Sequence, residues 1–152
     1  MRATSRYFCI MELTYSLTEV PEIAGRILEC YGPDAVYALE GDLGAGKTTL
    51  VAELCRRLGV REPVSSPTFS IVNEYDGERG TIYHLDCYRL RDATEAVEAG
   101  IEELLETAPG AVFVEWPAVI EPLLPEGVVF LRFRHDTPDG GRRHLHITTG
   151  RP

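Results

Sequence analysis

Lysine is almost missing from this chain of 152 residues, because fourteen of its fifteen basic side chains are arginines and the one lysine is Lys47. Long apolar runs are missing as well, and none approaches the roughly 20 residues that a helix needs to span a bilayer. No internal repeat and no low-complexity segment occurs. A membrane-spanning helix and a repeat architecture are therefore excluded, and the 44% of hydrophobic residues is typical of one soluble globular domain.

Cysteine is scarce, and its spacing fits neither a metal site nor a disulfide framework. No C-x-x-C pair occurs, and free buried thiols are expected at all four positions, which are Cys9, Cys30, Cys55 and Cys87. The first ten residues lack the apolar core and the cleavage site of a signal peptide. We therefore expect a cytoplasmic protein with a disordered leader at 1–10 and one domain at 11–152. Met11 would serve equally well as the first residue of the protein.

Positive charge is sparse over most of the chain. Residues 1–127 hold ten basic and twenty-two acidic side chains, whereas residues 128–152 hold five basic and two acidic ones. An acidic body repels the phosphates of nucleic acids. The charge distribution therefore argues against a protein that grips nucleic acid by itself.

The single lysine lies in a phosphate-binding motif, because residues 41–48 match G-x-x-x-x-G-K-[ST] without a gap. Glycines at 44 and 46 let backbone N–H groups approach a phosphate, and the next helix adds the positive end of its dipole. Lys47 would reach the β- and γ-phosphates, and the Thr48 hydroxyl would bind magnesium between them. A mere glycine turn before a helix is strongly disfavoured. The predicted nucleotide-binding residues of this P-loop are Asp42, Leu43, Gly44, Ala45, Gly46, Lys47, Thr48 and Thr49.

Hydrophobic periodicity predicts alternating strands and helices. Strands are expected at 12–17, 35–39, 69–75, 81–85, 111–114, 128–135 and 142–148, and helices after an N-cap at Thr18, from Lys47, and at 94–107. Turns at 76–77 and 139–141 would close two hairpins. This order predicts a single-domain α/β P-loop NTPase fold with a mixed, mostly parallel central sheet, flanking helices and a C-terminal β-hairpin. Ligands of such sheets bind at the carboxyl ends of the strands.

Acidic side chains recur at helical spacing along the helix predicted at 94–107. They are three and four residues apart and would share one face: Glu95, Glu98, Glu102 and Glu106. A solvated surface is the favoured interpretation. A docking face for a basic partner is the alternative.

Two carboxylates directly follow predicted buried strands, namely Asp86 and Glu115. Both could face the magnesium of the P-loop, where one acidic group lies near the metal and another group positions the attacking water. The residues alone do not decide which does which, and a surface carboxylate is the competing interpretation for either.

Three more side chains are candidates for the site. Thr68 follows a Ser-Pro pair where phosphate-sensing switch loops occur, although an ordinary turn would look the same. Trp116 is the only tryptophan, and base stacking or a lid role competes evenly with plain packing. Arg89 could balance phosphate charge or form a surface ion pair.

Four segments together resemble the bacterial TsaE (YjeE) family in order and spacing: residues 41–49, the S-P-T-F at 66–69, the H-L-D-C-Y-R-L at 84–90 and the V-E-W-P at 114–117. The match extends from about Glu12 to Thr148, and Cys87 departs from it where a bulkier apolar residue is common. The resemblance implies a cytoplasmic Mg²⁺-dependent ATPase needed for threonylcarbamoyladenosine (t6A) at position 37 of tRNAs that read ANN codons. It implies TsaB and TsaD as partners, and tRNA reached through their complex. Because no arginine of the chain is securely placed to meet transition-state charge, we expect weak hydrolysis by the isolated protein.

The resemblance also implies roles for individual residues, with ATP and Mg²⁺ as cofactors. Thr48 and Glu115 would be magnesium ligands, Asp86 a catalytic or metal-proximal acid, and Thr68 part of a switch loop. The remaining positions would approach the nucleotide: Trp116, the segment near 17–20 at the base, and either Arg142 or Arg143 of the last hairpin.

Two other function classes are weighed against this. A small-molecule kinase would share the P-loop and Asp86, but it needs an acceptor pocket and usually an arginine-bearing lid, and residues 92–109 are acidic. A GTP-dependent switch is disfavoured because Glu74 stands where the guanine motif N-K-x-D has lysine. A non-hydrolysing nucleotide sensor is the binding-module alternative.

Overall fold

The computed structural model describes residues 10–42, 44–67, 70–135 and 141–149. The strands within these ranges are β1 (Met11–Tyr15), β2 (Val36–Glu40), β3 (Val72–Gly77), β4 (Gly80–Asp86), β5 (Val112–Glu115), β6 (Val129–His135) and β7 (Arg143–Thr149). The helices are α1 (Val20–Tyr31), α2 (Lys47–Arg57), α3 (Ala93–Glu98) and α4 (Ile101–Thr107), with 3-10 segments at Leu17–Glu19 and Pro117–Leu123. No helix in the described ranges has the length and apolar character needed to cross a membrane.

All seven of these strands form one sheet in the order β1-β7-β6-β2-β5-β4-β3. Its centre, β6-β2-β5-β4, is parallel. Antiparallel partners extend it on both sides, with β3 next to β4 and with β7 and β1 next to β6. The predicted α/β fold, with its mixed sheet and closing C-terminal hairpin, is confirmed.

The sheet buries its two faces under different helices. On one face, Tyr37 of β2 and Phe113 of β5 share a core with α1 and α2. On the other, Ala38 of β2 and Val114 of β5 share a core with α3, α4 and the segment 117–123. Since alternate residues of a strand point to opposite faces, Glu115 follows Phe113 onto the α2 face. That face is the one that the P-loop helix covers.

The single helix predicted at 94–107 is wrong, because α3 ends at Glu98 and α4 begins at Ile101. Between them Gly100 has φ = 83°, a left-handed conformation that glycine adopts without steric cost and that ends a regular helix. The four glutamates expected on one acidic face are therefore divided between two short helices. Glu95 is also engaged locally, because it accepts hydrogen bonds from the backbone and the guanidinium of Arg91.

Several predicted boundaries and one burial state also need correction. Helix α1 is preceded by a 3-10 turn capped at Ser16, whose backbone N–H donates to Glu19 over 3.1 Å, so Thr18 is not the N-cap. Gly77 pairs with Gly80, which moves the β3–β4 turn from 76–77 to residues 78–79. Cys30 is a free but exposed thiol, whereas Cys55 and Cys87 are free and buried as expected.

Some predictions fall on residues that the structure does not describe. They are Cys9, Leu43, Thr68, residues 139–140 of the last turn, and all of the leader at 1–10 except Ile10.

Candidate active site

The P-loop joins the central strand β2 to the start of α2. Gly46 is the N-cap of α2 and has φ = 97°, a left-handed conformation that favours glycine. A Cβ atom built on Gly41 would lie 2.9 Å from the Cβ of Phe133, so the loop begins where β2 and β6 leave no room for a side chain. Of the remaining loop residues, Asp42, Gly44, Thr48 and Thr49 are exposed and Ala45 is buried. The sequence spacing thus produces the expected strand, loop and helix.

The ammonium of Lys47 is held inside the loop, and the residue is only 5% exposed. Its Nζ donates to the backbone carbonyl of Gly41 over 2.7 Å. The same Nζ lies 4.6 Å from the centre of the Trp116 ring, within the range of a cation–π contact. The one lysine is therefore paired with a carbonyl and an aromatic face, and neither partner carries a formal charge.

Trp116 has an unusual backbone directly after β5. Its φ of 56° makes it the one non-glycine residue with positive φ among the described ranges. The indole ring packs against the core under α3 and α4, and it also contacts the ring of Tyr88 at 5.0 Å between centroids. Tyr88 is 67% exposed. Trp116 therefore packs on the core and offers a face to Lys47, and a base-stacking or lid role stays a prediction.

A chain of hydrogen bonds links α2 to the ends of β4 and β5. Thr48 Oγ1 lies 2.8 Å from Ser66 Oγ, which donates to Glu115 Oε2 over 3.0 Å. His84 Nε2 lies 2.8 Å from the same carboxylate oxygen. Because Ser66 has one hydroxyl hydrogen and gives it to Glu115, the hydroxyl of Thr48 must be the donor to Ser66. Two predicted metal-side residues, Thr48 and Glu115, are thus brought together.

The carboxylate of Glu115 is 5% exposed, so its charge must be compensated within the protein. Burial is the largest single influence and raises the pKa of Glu115. The hydrogen bond and electrostatic attraction of His84, together with the Ser66 hydroxyl and the Lys47 ammonium, lower it by more in sum. The net pKa of Glu115 therefore lies below its usual value, and the group is ionised at neutral pH.

Asp86 lies beside Glu115 but in a different environment. The two residues are register partners in the parallel pair of β4 and β5, and both belong to the face covered by α2. The Asp86 carboxylate is partly exposed and accepts a 3.0 Å hydrogen bond from the backbone N–H of Tyr88. The structure therefore distinguishes two carboxylates that the sequence treated alike.

The last hairpin presents two adjacent arginines, and only one of them lies against the P-loop. A Cβ atom built on Gly46 would lie 3.2 Å from Nε of Arg143. Arg142 is exposed; the pKa of Glu19 is lowered by its hydrogen bonds with Ser16 and, to a smaller extent, by the charge of Arg142. The sequence left Arg142 and Arg143 open as the nucleotide-side arginine, and their placement favours Arg143 over Arg142.

Sequence reasoning gave no functional role to Ser66 or His84. The signal for His84 was its position two residues before Asp86 on β4, which places both side chains on one face. The signal for Ser66 was its place in the same loop as Thr68. Neither contact could be derived without the pairing of β4 with β5.

The donor set fits magnesium held together with a nucleotide. Within the described ranges, no group of three or more His, Cys, Asp and Glu side chains forms a metal cage. Magnesium commonly binds through one or two protein oxygens together with phosphates and water, and the Thr48 hydroxyl and the Glu115 carboxylate are such oxygens. Asp86 adds a third oxygen donor nearby.

Comparisons with known proteins point to one group. The family model described as "Threonylcarbamoyl adenosine biosynthesis protein TsaE" matches residues 14–145. A tRNA threonylcarbamoyladenosine biosynthesis protein TsaE from Nostoc sp. is 49% identical over 117 residues, which make up 75% of this chain and 70% of that protein. Its namesake from Rickettsia conorii is 35% identical over 140 residues, 91% of this chain and 78% of that protein. The crystal structure of YdiB from Bacillus subtilis has a TM-score of 0.69 and 28% identity, covering 97% of this chain and 90% of that one.

Proposed function

Since the chain belongs to the TsaE family and thereby to the biosynthesis of threonylcarbamoyladenosine in tRNA, we propose that it is the magnesium-dependent ATPase of that process. Its domain would comprise residues 11–152, and it would act in the cytoplasm on the modification of position 37 in tRNAs that read ANN codons. One observation carries the proposal: Lys47, Thr48 and Glu115 converge where β2, β4 and β5 end at the P-loop.

The P-loop residues would bind the phosphates of ATP. The partners of Lys47 carry no formal charge, and phosphate oxygens would add the attraction between opposite charges to the hydrogen bonds of its ammonium. Arg143 would add a second positive charge beside Gly46. The Trp116 ring, already in contact with Lys47, would line the nucleotide side of the site.

The two carboxylates would divide the remaining work. Glu115 is ionised and anchored by His84 and Ser66, which suits a metal ligand better than a group that must change its protonation state. When bound, magnesium would neutralise charge on the β- and γ-phosphate oxygens. Asp86 is more open and would orient the attacking water. Thr68 stays a proposed switch residue, as expected from the sequence.

Partners would make hydrolysis fast. P-loop enzymes commonly meet transition-state charge with an arginine, and one supplied by a partner raises turnover by about 10³- to 10⁵-fold. Arg143 lies beside Gly46 of the loop, so we assign it to ground-state phosphate binding. TsaB and TsaD are the proposed partners, and tRNA would be reached through their complex.

Steady-state phosphate release tests the proposal directly. The protein is assayed with Mg-ATP alone, with TsaB and TsaD, and with both proteins plus tRNA, and the Lys47→Ala variant serves as the control for contaminating ATPase. We expect slow release by the isolated chain and acceleration by the partners. Fast release that ignores the partners would contradict the proposal, and ATP binding without release in any mixture would indicate a nucleotide sensor.

A further inference from the structure

The imidazole of His84 is a fully buried polar group, with 0% of the residue exposed. It lies on β4, two residues before Asp86, which is the register partner of Glu115. His84 therefore shares the face that α2 covers. Its Nε2 is 2.8 Å from Glu115 Oε2. Burial of a polar ring in an apolar sheet is unfavourable unless hydrogen bonds compensate it, so this contact accounts for the presence of histidine there.

Hydrogen-bond accounting shows which nitrogen of this ring donates to Glu115. An ionised carboxylate can only accept, so the hydrogen between the two groups belongs to Nε2 of His84. The other ring nitrogen, Nδ1, has no partner among the described residues. The imidazolium ion also carries a hydrogen on Nε2, so the ring donates to Glu115 in either protonation state. His84 is therefore a fixed donor aimed at Glu115.

Both hydrogen bonds to this carboxylate end on the same oxygen. Ser66 and His84 each donate to Oε2 of Glu115, whereas no hydrogen bond to Oε1 is found in the described ranges. Two donors on one oxygen fix the rotation of the carboxylate plane. The second oxygen, Oε1, is thereby oriented and has no hydrogen bond from the described residues.

We propose that His84 is a positioning residue for magnesium: by clamping Oε2 of Glu115 it presents Oε1 to the metal that accompanies the nucleotide. The inference rests on the proposed Mg-ATP function and adds to it a residue that acts through its hydrogen bond to Glu115. Outer-shell partners of this kind typically change metal affinity or activity by about 10- to 100-fold when they are replaced. His84 itself touches neither nucleotide nor metal.

Two substitutions separate the hydrogen bond from the volume of the ring. In His84→Gln the side-chain amide keeps an N–H donor near the position of Nε2, whereas His84→Leu fills the space without a donor. Ile82→Ala is the matched control, because Ile82 is buried on the same strand and the same face but lies two residues further from the site. It lowers stability through a cavity and leaves the clamp intact.

Calorimetric titration in EDTA gives the affinity for ATP without metal. At a fixed ATP concentration, it also gives the magnesium concentration that produces half of the maximal increase in ATP binding. For His84→Leu we expect a 10- to 100-fold higher magnesium requirement and metal-free ATP affinity within about 2-fold of the parent protein. His84→Gln should recover most of the loss, and Ile82→Ala should shift only the melting temperature. If the leucine variant does not fold, His84→Asn, whose shorter amide falls short of Oε2, replaces it.

A second readout needs no nucleotide. Nitrogen-15 correlation spectra of the four histidine side chains, with His84→Gln for assignment, should show one ring in the Nε2–H tautomer whose proton shifts in Glu115→Gln. An Nδ1–H tautomer, or an unchanged magnesium requirement in His84→Leu, would overturn the positioning role while leaving the ATPase proposal intact. A parent protein that does not bind Mg-ATP at all would overturn both.

Discussion

The ends of β4 and β5 lie side by side in the sheet, and each carries a carboxylate in a different setting. Glu115, at the end of β5, is 5% exposed and receives hydrogen bonds from His84 and Ser66. Asp86, at the end of β4, is partly exposed and accepts a hydrogen bond from a nearby backbone N–H. The two carboxylates at neighbouring strand ends thus differ in burial. Glu115 is buried and held by hydrogen bonds, whereas Asp86 is accessible.

Removing each carboxylate should separate the two ends most clearly. We expect Glu115→Ala and Asp86→Ala both to lower partner-stimulated turnover by about 10²-fold or more, with nucleotide binding only partly weakened. Glu115→Ala should also lower the free energy of unfolding by about 1–3 kcal/mol, because the buried His84 donor loses its acceptor. Asp86→Ala should cost less than about 1 kcal/mol.

Phosphate release and chemical denaturation of the same two variants check this prediction. Equal losses of stability would mean that the depth of the carboxylates does not distinguish them. Full stimulated turnover in either variant would remove that residue from the mechanism.

Lys47 links the comparison to the P-loop, because its charge is one of the influences that lower the pKa of Glu115. Lys47→Ala should weaken ATP binding by about 10- to 100-fold, the value of a charged hydrogen-bonding group. Lys47→Arg keeps the charge but changes its shape and should recover only part of the loss. Calorimetric titration with ATP measures both, and unchanged affinity in the alanine variant would contradict the assignment.

The two adjacent arginines sharpen the comparison at the opposite edge of the site. Arg143→Ala should weaken ATP binding by a factor of about 3 to 10, since one charge beside the loop is lost. Arg142→Ala is its matched control and should have almost no effect, because exposed charges contribute little. The same titration separates them, and a larger effect at Arg142 would reverse the assignment drawn from the structure.

Low pH should lower the stability of the folded protein by protonating Glu115 at the end of β5. Its pKa in the folded protein lies below the ordinary value of 4.5, so ionised Glu115 stabilises the fold above that pH and loses this contribution as the pH falls through the folded-state pKa. In EDTA and without nucleotide, the parent protein should therefore lose more stability than Glu115→Gln between about pH 5 and pH 2. Denaturation curves across this range test it, and parallel acid limbs would contradict it.

Local patterns were sufficient for the parts of the site that are contiguous in sequence. The spacing of residues 41–48 predicted the strand, the loop and the helix, and the ends of two apolar runs predicted Asp86 and Glu115. These features depend on neighbours a few residues away. The strand, loop and helix of the P-loop and the strand ends at Asp86 and Glu115 could therefore be predicted before any tertiary contact was known.

Other features depend on contacts that no local pattern contains. The bond from His84 to Glu115 requires β4 and β5 to pair in one register, and the position of Arg143 requires β7 to lie between β1 and β6. The break at Gly100 was missed because acidic residues kept helical spacing across it. Pairing between distant strands and the conformation of single residues supplied what the sequence could not.

The position of Lys47 means that a phosphate in the proposed site would meet an ammonium that already has partners. One of its three N–H donors bonds the Gly41 carbonyl and its charge faces the Trp116 ring, so a phosphate would use the remaining donors or compete with contacts of fixed geometry. The favourable enthalpy of binding is then a difference between two bonded states. A lysine with such internal partners would release a phosphate more readily than one without them, which would suit the proposed ATPase.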